Sequence, residues 1–254
     1  IATDGAGSGA VVYDVLTDLS VNGFSNDGDY KSVTAGTSNL VLGVNAGNSI
    51  ESGGNYNVTV GDEAGTAITT GDNNVAIGYA ALDANTTAGS NTAVGASAMG
   101  ATTTGDNNVA VGTETMLVNT TGANNTAVGV AALDANTTAD NNTAVGRSAL
   151  GANTTGSSNV AVGKEALLTN TTGANNTAIG KDSLRLNTTG AGNTVLGHNA
   201  LESNTTASDN TAVGKDALKA NTTATANTAV GRSALLSATT GSYNTAMGYK
   251  AGDT

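Results

Sequence analysis

A five-residue phrase recurs thirteen times along this chain, as in Asn91-Thr92-Ala93-Val94-Gly95 and Asn125-Thr126-Ala127-Val128-Gly129. Its closing glycines are Gly43, Gly61, Gly78, Gly95, Gly112, Gly129, Gly146, Gly163, Gly180, Gly197, Gly214, Gly231 and Gly248. The first step is 18 residues and the remaining eleven are 17 each. A period held without insertions adds one identical coil per repeat, so the chain stacks into a rod rather than a globule. Seventeen residues are too few for two helices and a turn, and the Gly, Asn and Thr content opposes helix. The expected fold is all-β, a parallel β-solenoid of 17-residue coils in about thirteen stacked repeats over residues 39–254. Residues 1–38 form a separate, non-repeating segment.

Numbering each coil from the Asn of the phrase gives seventeen columns. Within the phrase, positions 2 and 4 face one way along a strand and position 3 the other. Position 4 is apolar in all thirteen copies, from Leu42 through Val128 to Met247. This column is expected to be buried, and Val128→Asp to unfold its neighbours. Position 3 is nearly always Ala, small enough to meet either the far wall of the coil or another chain. The invariant Gly at position 5 fits a corner with positive φ or a tight backbone approach. A second apolar column, also expected inside, reads Leu82, Met99, Met116, Leu133 and onward to Leu235 at position 9. Gly47, Gly65 and Gly252 replace it at the ends of the array, as terminal repeats often do. Next come Asn-Thr-Thr columns. Stacked coils place identical residues about 4.8 Å apart, so Asn amides and Thr hydroxyls are expected to form ladders.

Composition agrees with a thin, repeated core. The chain has one Phe, no Trp and no Pro. Large aromatics dominate ordinary interiors, and Pro would remove a ladder donor. There is no Cys, which excludes disulfides and thiolate metal sites. Residues 1–146 carry one base and fourteen acids, net −13, and residues 147–254 carry eight bases and six acids, net +2. The overall charge of −11 disfavours nucleic acid as a partner. No apolar run reaches the length of a membrane span. No signal peptide is visible, and the chain begins at Ile1 rather than Met, as a processed product or a part of something longer would.

Chemistry has few candidates. The only histidine, His198, shares its column with Lys181 and Lys215 and is read as part of a solvated edge. No catalytic, cofactor-binding or metal-binding residues are assigned. Asn26-Asp27-Gly28-Asp29 is oxygen-rich but lacks EF-hand spacing, and a plain turn is the stronger reading. The basic run Arg147, Lys164, Lys181, His198, Lys215 and Arg232 at position 6 adjoins Glu165, Asp182 and Asp216. It reads as a charge-balanced edge, with a glycan- or polyanion-binding stripe as the alternative. Asn-Thr-Thr is also a glycosylation sequon, as is Asn124-Asn125-Thr126.

The phrase, with its variant Asn74–Gly78, resembles the head repeat of trimeric autotransporter adhesins of the YadA type. The Ala-Leu and Asn-Thr-Thr-Gly elements are similar to repeats of phage tail-fibre-like proteins. The resemblance covers about residues 39–252, although the period is longer than that family's usual one. It implies a left-handed parallel β-roll, three chains side by side, and attachment to surfaces, hence an extracellular place on a cell surface or virion fibre.

The expected function is a non-catalytic fibre subunit, self-associated as a homotrimer or head-to-tail filament, with a surface receptor or glycan as possible ligand. An ice-binding solenoid using the Thr ladders is the alternative. In residues 1–38, Val11 to Val21 alternate as a strand that either caps the first coil or docks on a neighbour. The array breaks off at Thr254 within its last coil, an edge that further sequence or another subunit would cover.

Overall fold

The computed structural model describes residues 30–31 and 35–253. The alternating stretch Val11–Val21 and the Asn26–Asp29 loop lie outside the described residues. The rest is a β-solenoid without helix. Thirteen three-residue strands, from β2 (Leu40–Leu42) and β3 (Val58–Val60) to β14 (Thr245–Met247), make one parallel sheet in sequence order. Pairing is strictly in register: Thr126 lies beside Thr143, Ala127 beside Ala144 and Val128 beside Val145. The 18-residue first step is absorbed without a slip, with Leu40 opposite Val58. Twelve steps at about 4.8 Å make the sheet roughly 58 Å long. The short strand β1 (Tyr30–Lys31) pairs antiparallel with Val41 and Leu42. This part of the non-repeating segment thus closes the first coil's edge.

The interior corrects the sequence reading of the strand. Position 3 points inward: Ala127 is fully buried, as is every residue of its column from Ala76 to Ala229. Position 4 points outward, leaving Val128 37% and Leu196 48% exposed. The far wall explains the reversal. Position 3 faces position 9, as Gly47 and Gly65 reveal: a Cβ built on either meets the side chains of Thr59 at 3.1 and 2.7 Å. With Leu or Met filling position 9, small side chains suit the opposing strand: Ala holds ten of its thirteen places, and Val195 is the one Val that packs there against a filled Leu column. The position 9 column itself is buried as expected, with Met99, Leu133 and Leu150 at 0% exposure.

These buried leucines carry an unusual backbone. Leu133 and Leu150 have φ of 54° and 53°, and the whole column is left-handed. That conformation costs a non-glycine residue about 1–3 kcal/mol, similar to the roughly 1.5–3 kcal/mol from burying a Leu side chain. The near balance accounts for the two solutions found in the array. In the first two coils Gly47 and Gly65 take the left-handed position without strain. Ile50 and Ile68 then stand where later coils have Asn, and their Cδ1 atoms reach 2.9 and 2.8 Å from the built Cβ positions. The Gly at position 5 is required on both grounds anticipated for it. Gly146 has φ 132°, and a Cβ there would lie 2.6 Å from the carbonyl of Gly163.

Candidate functional site

Among the described residues the candidate sites are the columns that the fold turns outward. Four of them bear on function: the outer sheet face, the basic edge, the threonine edge and the sequons.

The outer face combines positions 2 and 4. Position 2 is Thr in eight coils and Val or Leu in the others; position 4 is always aliphatic or Met. None of these residues, two per strand over thirteen strands, is charged. Strand sterics dictate this geometry, since alternate side chains leave opposite faces and the parallel register stacks like on like. The result is an aliphatic ridge beside a Thr-rich ridge along the whole sheet. The sequence reading placed the aliphatic ridge inside. The signal that could have reversed it is the near-invariance of Ala at position 3, which marks the sterically tightest site.

The basic edge follows the corner glycine. Arg147, Lys164, Lys181, His198, Lys215 and Arg232 are all exposed. Lys164 pairs with Glu165 at 3.1 Å, Lys215 with Asp216 at 3.8 Å, and Lys181 with Asp182. The Asp182 carboxylate accepts a hydrogen bond from Lys181 and raises that ammonium's pKa. At position 10, three columns beyond those acids, Glu202 bridges Arg185 at 3.4 Å and Lys219 at 3.5 Å. The expected balance of the edge is therefore present as ion pairs at three of its six bases, Lys164, Lys181 and Lys215. Among the described residues of the acid-rich half no such ion pair forms: Asp83 and Asp134 are half-buried, and desolvation raises their pKa values, with Glu63 and Glu114 adding repulsion.

The Asn-Thr-Thr edge forms ladders, with one correction. The first Thr of each pair donates its hydroxyl to the backbone carbonyl of the Thr one coil on, not to another hydroxyl; Thr120 reaches Thr137 at 3.0 Å and Thr188 reaches Thr205 at 2.9 Å. The second Thr is exposed in every coil. The Asn column is buried, and from Asn136 to Asn221 each Nδ2 donates to the Oδ1 of the preceding Asn, beginning with Asn119, at 2.7–3.3 Å. These amides are committed to the interior, whereas the first Asn of the other sequon, Asn124, is exposed.

A further ladder escaped the sequence reading. The Asn at position 1 is present in all thirteen coils, and that invariance was its signal. Asn108 Oδ1 accepts the Asn125 backbone N–H at 2.9 Å, and the motif repeats up the stack.

Among the described residues no group of three or more His, Cys, Asp or Glu is placed to hold a metal, and no helix is long and apolar enough to cross a membrane. No family model matches this chain, and neither the curated proteins nor the solved structures contain a match.

Proposed function

We propose that this chain is a non-catalytic structural subunit of an extracellular fibre, adhesin- or tail-fibre-like, that presents a rod of stacked coils for surface attachment. The observation that carries the reading is the unbroken register of thirteen strands around an interior of Ala, Leu and Asn. Such a cross-section, filled by side chains in coil after coil, gives length rather than a globular interior. The exposed columns repeat every coil, so any ligand would meet many weak equivalent contacts, the mode suited to avid attachment. The only histidine stands on the exposed ion-paired edge, a poor setting for acid–base chemistry.

An ice-binding role on the Asn-Thr-Thr edge is the weaker reading. The first Thr of each pair holds its neighbour coil, and the exposed second Thr makes a row one residue wide. Negative-stain imaging of the purified chain tests the fibre reading. Straight particles about 60 Å or longer, joined laterally or end to end, are expected; compact particles with no association at any concentration would overturn it.

A further inference from the structure

We infer that the outer sheet face is the surface on which a second copy of this chain packs side by side. The inference deepens the fibre reading and rests on it, but assigns association to particular residues. Three observations converge on the face. Its two outward columns contain no charged residue in thirteen strands, and unlike the equally uncharged column of exposed second threonines they carry aliphatic side chains in every coil. None of its position 4 residues is buried in the single chain: seven are exposed, with Ile77 at 39% and Met247 at 71%, and six are partly exposed. Its extent matches an interface: about 10 Å of strand by roughly 58 Å of stack gives on the order of 600 Å² before the flanking columns are counted. That lies at the upper end of the roughly 300–600 Å² of the largest apolar patch on a typical monomer and approaches the roughly 800 Å² per partner of a stable complex.

Pitch selects the occupant. The two ridges rise and fall with the coil spacing, so a partner must offer relief at the same spacing over the same length. A second copy does so by construction, its aliphatic ridge fitting between the ridges of the first. The inward Ala columns take no part, because they are sealed within each coil. The sequence alone had left them open as a lateral contact.

Val145 is the middle residue of the position 4 column, so it meets the partner's Val145 whichever way two fully overlapped rods run. The chain has no native Cys, which makes a single-cysteine experiment clean. Full-length Val145→Cys should form a disulfide-linked pair under mild oxidation, while Thr155→Cys, on the exposed Asn-Thr-Thr edge of the same coil, should not. In sedimentation velocity the intact chain should associate. The double variant Val128→Lys/Val145→Lys should weaken that association on the order of 100-fold, since each copy would bury unpaired charge, with an unchanged circular-dichroism spectrum. Equal linkage at Val145 and Thr155, or undiminished association of the lysine variant, would overturn the inference. If the intact chain forms filaments only one rod wide, this inference falls and the fibre reading stands. A monomeric intact chain at high concentration would remove both. Thermal hysteresis in a monomeric intact chain, lost in the lysine variant, would assign the face to ice instead.

Discussion

Asn125 and Asn136 point their side-chain amides at one atom: both Nδ2 groups donate to the carbonyl of Ala139, at 2.8 and 3.1 Å. The two asparagines lie in different columns and are brought together by the closing of a single coil. Asn136 also donates to Asn119 Oδ1 at 2.7 Å. Each coil is therefore locked to itself and to its neighbour by the same buried side chains, a polar network in a place where most proteins put hydrocarbon.

Asn136→Ala should destabilise the chain by about 1–3 kcal/mol, because Asn119 and Asn153 lose a buried partner. Asn85→Ala should cost less, since Thr102 already interrupts the ladder above it. Denaturant midpoints of the two variants make the comparison; an equal loss at both sites would show that the ladder between coils adds nothing.

Thr102 occupies the Asn column, and its buried hydroxyl lacks a hydrogen-bond partner. Thr102→Asn should join Asn85 to the run beginning at Asn119 and stabilise the fold by about 1 kcal/mol. A higher melting temperature is the expected reading, and a lower one would mean that the coil there is too tight for an amide.

Ala127 and Val128 give the direct test of which strand face is inside. Ala127→Asp should cost roughly 3–5 kcal/mol as an unpaired buried charge. Val128→Asp should cost under about 1 kcal/mol at concentrations where the chain is monomeric. Reversal of that order in urea titrations would restore the inward position 4 column.

Asp134 has its carboxyl pKa raised chiefly by burial, opposed by backbone hydrogen bonds and reinforced by Glu114. The folded state therefore binds this proton more tightly than the unfolded state, and stability from this group falls as pH rises through the folded pKa. Asp134→Asn should be more stable than the parent at neutral pH, and the difference should shrink just above the ordinary carboxylate range and below. Urea midpoints from pH 3 to 7 for both chains check the sign. A variant no more stable than its parent at pH 7 would contradict it.

The sequence by itself determined the solenoid, its 17-residue coil, the buried Leu column, the Asn ladder of the Asn-Thr-Thr edge and the ion-paired basic edge. All of these follow from translation: a strict period places like residues on one another whatever the coil's cross-section. The tertiary structure alone decided what depends on that cross-section. Which way Val128 points turns on the space left opposite Leu133 and its neighbours, a question of volume that hydrophobicity does not answer. The left-handed φ of those leucines, the Ile50 and Ile68 substitutions that accompany Gly47 and Gly65, and the convergence of Asn125 and Asn136 on one carbonyl likewise arise only when the coil closes. The candidate surface was legible as a pattern of Thr and Val, but its outward direction was set by how little room a three-residue strand leaves inside so narrow a coil.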